Sequence, residues 1–239
     1  MGGQLKGLLY LQTFNGKYSF KIFWSILIGS NLISVVIAAL MPTDDVGMMV
    51  VYSVAIYIFA MFIGFRHVNK NVNYALKLGA TRKNIFVGTG IFFLGFSVIN
   101  AILITALQEV ITFLTSVFHI KGFEILHPAQ LLTDTWLNRF IIDTSTTFFC
   151  LSLLFLFGLM FYKYGLIGGG SVAAAFVIAY LFLLGIGWLQ DIVRSIAGAF
   201  SMEFFFYTIL VGFTFYLISW LFLRRITILI KQYGMSTLN

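Results

Sequence analysis

Of the 239 residues, 60% are hydrophobic and only 10% are charged, where an ordinary soluble domain has about 25% charged residues. Eight acids and fifteen bases cannot cover the core of a soluble chain this apolar, so the composition excludes a soluble fold and predicts an all-α polytopic membrane protein. The net charge of +7 lies in loops beside apolar segments, with no separate basic domain, which argues against a nucleic-acid partner.

The N-terminal stretch 1–19 sets Leu5, Leu8, Leu9 and Leu11 against Lys6 and Lys17, the pattern of an amphipathic helix in the membrane interface. A bilayer core of about 30 Å takes about 20 apolar helical residues to cross. Six segments meet that length, at 20–40, 46–65, 85–107, 140–161, 166–189 and 204–223. Their continuous apolar runs favour helices over barrel strands, which would alternate. The first segment is full length and lacks a small-x-small cleavage site, so it is expected to stay in the protein as a span.

Lys and Arg beside the spans set the orientation. With the N-terminus inside, Lys6, Lys17, Lys21, Arg66, Lys70, Lys77, Arg82, Lys83, Lys163, Arg224, Arg225 and Lys231 are cytoplasmic, and only Lys121, Arg139 and Arg194 are outside. Both termini are thus expected in the cytoplasm, with 224–239 as a cytoplasmic tail.

Between spans two and three the loop 66–84 carries "NYALKLGATRKNIF". Residues 74–78 favour a short helix, Gly79 can end it, and Thr81 can cap the helix that runs from Arg82 into span three. A push on that turn would be delivered to span three. The competing reading treats the basic residues as topology determinants attracted to anionic lipid, but that reading does not account for an ordered turn at a fixed place.

Span three remains apolar past Gln108 and Glu109, so its helix either projects beyond the membrane or breaks near Glu109. Glu109 either contacts a cationic cargo or snorkels to outer water. His67, His119 and His127 are read as loop residues, and the charges at span limits (Lys21, Glu109, Arg139 and Asp143) as lying towards an interface. His119, Glu124 and His127 lack a fourth ligand and a helical spacing, so no metal site is expected. Cys150 permits no intrachain disulfide and is read as a packing residue.

The glycine-rich runs at 88–95 and 164–171 lack the lysine of a phosphate loop and read as close helix packing. Residues 188–200 form a helical stripe suited to an outer interfacial helix, serving as either a gate or a connector. Asn31, Ser34, Ser53, Tyr57, Asn100 and Thr105 are polar positions within spans, available to line a path or to bond between helices.

The segment "YALKLGATRKNIF" resembles the coupling helix of ABC transporter permease subunits, and six spans without a large outer domain resemble the type-2 ABC exporter permeases. The resemblance implies a single transmembrane permease domain over 1–239 in the cytoplasmic membrane. It also implies a second permease chain, identical or paralogous, and a separate ATP-binding subunit carrying ATP and Mg, so the chain itself is not expected to be an enzyme. Tyr74, Leu76, Lys77, Leu78, Gly79, Ala80, Thr81 and Arg82 would then couple to the ATPase. Asn31, Ser53, Tyr57, Asn100, Thr105 and Glu109 are the candidate path for a hydrophobic or amphipathic cargo such as an antimicrobial peptide, lipid or drug. Segment 1–19 would be the connecting helix of that family, with a plain membrane anchor as the alternative. The rival classes are a non-transporting immunity or sensor protein that binds a peptide, and a secondary transporter.

Overall fold

The computed structural model describes residues 2–40, 48–120, 123–185 and 201–226. These residues are mostly helical, and four of the helices are long and apolar enough to cross a membrane. The expected outer helix at 188–200 and most of the tail at 224–239 lie outside the described residues.

Helix α1 (Gly2–Leu40) is unbroken over 39 residues, so no bend separates an interfacial segment at 1–19 from a span at 20–40. One mid-helix glycine costs only about 1 kcal/mol, and the contacts of the N-terminal half outweigh it. Leu8 and Gln12 are buried, and Leu5, Leu8 and Gln12 lie over Gly88.

Strand β1 (Met48–Val50) precedes helix α2 (Tyr52–His67), so the segment expected as a span from residue 46 begins in extended chain. Met48 to Val50 pair in parallel with β2 (Phe123–Ile125), in register Met48 to Phe123 and Val50 to Ile125. The pairing ties the start of α2 to the segment that carries β2.

A π-helical turn (Val68–Val72) leads to the short helix α3 (Asn73–Lys77). Helix α4 (Arg82–Val117) then runs 36 residues, about 54 Å at 1.5 Å per residue. It passes Gln108 and Glu109 without a break and projects beyond the length that about 30 Å of hydrocarbon requires. A 3₁₀ turn (Pro128–Leu131) leads to α5 (Trp136–Gly185), which is interrupted at Gly165, where φ is 70° and ψ is −169°. Only glycine adopts that conformation readily, so the break separates the two apolar runs at 140–161 and 166–189. Helix α6 (Met202–Leu223) completes the bundle.

The first part of α5 is the centre, packed by α2, α4 and α6. Its core holds Phe148, Leu151, Phe155 and Leu159 against Phe93 and Tyr216. Close approach depends on small residues: a Cβ at Gly64 would strike the Leu151 carbonyl, and one at Gly158 the Phe65 carbonyl, so α2 and α5 touch backbone to backbone. Gly212 brings α6 onto Phe149 in the same way. Cys150 is buried in this core.

Candidate functional site

The segment from Asn73 to Arg82 forms a rigid turn. Ala80 N–H donates to the Ala75 carbonyl and Gly79 N–H to the Leu76 carbonyl, both at 3.0 Å, which is the paired closure of a Schellman cap. Gly79 supplies the left-handed residue it needs, at φ 77°. Two residues on, Thr81 caps α4 by accepting from the Asn84 N–H at 3.3 Å. Gln4 of α1 bridges the turn: its amide donates to the Gly79 carbonyl, and its oxygen accepts from the Thr81 hydroxyl and the Asn84 amide. Arg82 donates to the Ile226 carbonyl at 2.8 Å, just past α6.

Of the expected coupling residues, Tyr74, Lys77, Leu78, Gly79, Thr81 and Arg82 are exposed and Ala80 is half-buried. Leu76 departs from the expectation. It is buried in the core beside Ala75, because one face of α3 must pack while the other stays open. Tyr74, Leu78 and Ala80 form one wall of an open groove of about 370 Å³, with Leu8, Leu11 and Phe14 of α1 opposite.

Above the turn, a polar chain links α1, α2, the π-helical turn and α4. Asn15 donates to Asn71, Asn71 meets His67 Nδ1 at 2.9 Å, His67 Nε2 meets the Thr89 hydroxyl at 3.2 Å, and Gln12 donates to the same hydroxyl. His67 is therefore not a loop residue. It closes α2, is 2% exposed, and lies among the rings of Phe92, Phe93 and Phe155.

The expected path residues do not converge. Asn100 accepts from the Trp24 indole and donates to the Phe96 carbonyl, and Asn31 donates to the Leu27 carbonyl. These bonds brace α1 and α4 locally, as polar residues in apolar helices commonly do. Thr105 is buried on α4, while Ser34 returns its hydroxyl to Ser30 on an exposed face. Glu109 is exposed and bonded to Arg139 at 2.9 Å, which favours a structural pair. Ser53 and Tyr57 share a face one turn apart on α2, and Thr105 and Glu109 do so on α4.

Tyr57 leads to the second polar centre, at the end of the bundle that carries the strands. Its hydroxyl donates to Asp143 at 2.7 Å, and His127 Nε2 lies 3.2 Å from the other carboxylate oxygen. The side chains of His127 and Asp143 are each 1% exposed. His127 is a loop residue as expected, but a buried one, and Asp143 is buried against the same loop and α2. The His127 side chain caps the 3₁₀ turn, its Nδ1 accepting from the Ala129 N–H at 2.9 Å. A ring nitrogen that accepts a backbone N–H carries no proton, so the ring proton is on Nε2 and points at Asp143. Arg139 grips Asp134 and Glu109 nearby. The Arg139 hydrogen bonds hold the Asp134 carboxyl below its usual range, against a smaller push upward from burial.

Sequence reasoning missed this centre and the His67 chain. The available signal was Asp143 itself, a carboxylate inside an apolar run with Thr147 one helical turn on. The fold and the buried polar centres define the class: a helical protein whose four long apolar helices are compatible with membrane insertion. No family model, curated protein or solved structure matches the chain.

Proposed function

We propose that the chain is the membrane-spanning subunit of an ATP-driven exporter of the type-2 ABC permease kind. It works as a pair of permease chains, each served by a separate ATP-binding subunit that carries ATP and Mg, and hydrolysis belongs to that subunit. The chain crosses the cytoplasmic membrane six times with both termini inside. In that reading α2 is one span, and α5 supplies two, divided at Gly165. The cargo is hydrophobic or amphipathic, in keeping with the apolar, aromatic helices around it.

The observation that carries this reading is the Gly79 turn. It offers Tyr74 and Leu78, 49% and 65% exposed, beside Lys77 and Arg82, on a support with no soft joint. The Schellman closure, the Thr81 cap and the Gln4 bridge transmit a displacement of the turn to both α4 and α1. A loop that served only to hold positive charge at a lipid surface would need none of these bonds.

The test is a mild-detergent pulldown of the tagged chain from its native membrane, with ATPase activity assayed in the eluate. The wild-type chain is expected to recover an ATP-binding subunit. Leu78→Asp and Arg82→Glu are expected to lose it at least tenfold while the chain stays monodisperse. A stable wild-type chain that brings down no ATPase would overturn the proposal and put a peptide-binding immunity or sensor protein first.

A further inference from the structure

Beside the contact between α1 and α4 lies an open apolar groove of about 410 Å³. Phe20, Phe92 and Phe96 wall it, and it stays open because glycine stands at 95, where a Cβ would meet nothing within 4 Å. Thr13 donates its hydroxyl to the Leu9 carbonyl at 2.8 Å, so Lys17 is the one lining side chain with polar donors to offer. Lys17 is exposed at the rim, and its ammonium lies 3.9 Å from the centre of the Phe14 ring. Phe14 is about one turn nearer the N-terminus, so the ammonium is drawn back along α1, as in a lysine that buries its stem against apolar surface and keeps its head among polar groups. Lys21 is exposed one turn further along the same face. No carboxylate answers either charge. The sequence has no acid at 1–43 or 46–108, and the ion pairs among the described residues all join His127 or Arg139 at the strand end.

We propose that this groove holds one acyl chain of an anionic phospholipid, with the phosphate of that lipid on the Lys17 ammonium. The lining fits such a molecule part by part. Hydrocarbon fills the trough without leaving a polar atom unpaired, and the lysine at the rim meets the charged end. A zwitterionic lipid fills the same trough, but its own cationic group repels Lys17 and offsets the attraction of its phosphate. Headgroup charge therefore sets which lipid is retained. The inference requires α1 and α4 to lie in a bilayer, for which both are long and apolar enough. It goes beyond the export reading and requires no ATPase.

The test is native mass spectrometry of the full chain in mild detergent, titrated with phosphatidylglycerol or with phosphatidylcholine of the same acyl chains. One lipid per chain is expected to bind ahead of the rest, with phosphatidylglycerol about fivefold tighter, the effect of one lysine beside an anionic headgroup. Lys17→Gln is expected to bring the two lipids to equal affinity while leaving phosphatidylcholine unchanged, a split that general loosening would not give. Lys83→Gln removes the same charge at the start of α4, outside the groove, and is expected to keep the preference. Gly95→Leu fills the trough from a position with open space around it and replaces a poor helix former with a good one, so it is expected to remove the first site for both lipids without unfolding the chain. Glycerol phosphate, a headgroup without chains, is expected not to displace the bound lipid. Equal wild-type affinities, equal losses in Lys17→Gln and Lys83→Gln, an unchanged first site in Gly95→Leu, or displacement by glycerol phosphate would each overturn the proposal. Each of these would leave the pulldown result standing, and a failed pulldown would leave this site standing.

Discussion

The two ends of the bundle solve the burial of polar groups in opposite ways. At the Gly79 end, Gln4, Gln12, Asn15, Asn71, Asn84 and Thr89 bond to one another and to His67, with no carboxylate among them. At the strand end, a carboxylate is taken out of water and held by a phenol and an imidazole, while a guanidinium binds two further carboxylates nearby. Amides and hydroxyls can satisfy each other in a low dielectric at little net cost. A buried carboxylate demands its donors, because leaving it short of one forfeits several kcal/mol. The first end is thus a neutral network in which each bond counts for little, and the second a charged one that depends on every donor it has.

The sharpest way to break that contrast is to remove one donor at each end. His127→Ala strips the Nε2–H from Asp143 and the acceptor from the Ala129 N–H, so it is expected to destabilise the chain by about 3 kcal/mol. Thr89→Val keeps the shape of the side chain and removes one hydroxyl from the neutral chain. Interhelical hydrogen bonds in membrane proteins contribute about 0.6 kcal/mol on average, so a loss of about 1 kcal/mol is expected. Thermal or steric-trap unfolding in one detergent ranks the two. Equal costs would show that the carboxylate is no more dependent on its donors than the hydroxyl is.

The same contrast explains what the sequence made legible. The turn from Asn73 to Arg82 was readable because its determinants are local: a short run of helix formers at 74–78, a left-handed glycine directly after it, and a threonine three residues before the amide it caps. The gap between the apolar runs at 140–161 and 166–189 was readable for the same reason, although the glycines at 164–171 read as close packing and Gly165 instead interrupts the helix with open space around it. The strand pairing was not, because Met48–Val50 meets a partner far away in the chain and has too few residues to show a period. Asp143 was placed near an interface from its position along the helix. Its burial is decided by what packs over it, namely α2 through Tyr57 and the 3₁₀ turn through His127. The single helix α1 was hidden because amphipathic patterning reports which face is wet, not whether the backbone bends between 1–19 and 20–40.

A smaller effect tests the stiffness assigned to the Gly79 end. Thr81→Ala removes the α4 cap and one arm of the Gln4 bridge, which is expected to cost about 1 kcal/mol. The readout is local: amide exchange at Asn84 and Ile85 is expected to quicken about fivefold or more while exchange around Phe148 and Leu151 is unchanged. Uniform acceleration across the bundle would mean that the turn is merely one more part of the core.

The smallest expected effect concerns acid at the strand end. The Arg139 hydrogen bonds lower the Asp134 carboxyl in the folded chain, so this group contributes stability that is fully present above its unfolded value near 4. That contribution is lost as pH falls through the folded value, which lies lower. Because Asp134 is largely in reach of solvent, screening keeps the contribution small. Melting temperatures from pH 7 to pH 3 are therefore expected to fall more steeply below pH 4 for the wild-type chain than for Asp134→Asn, and the gap is expected to shrink in high salt. Coincident profiles would remove Asp134 from the charged network and leave Glu109 as the partner that fixes Arg139.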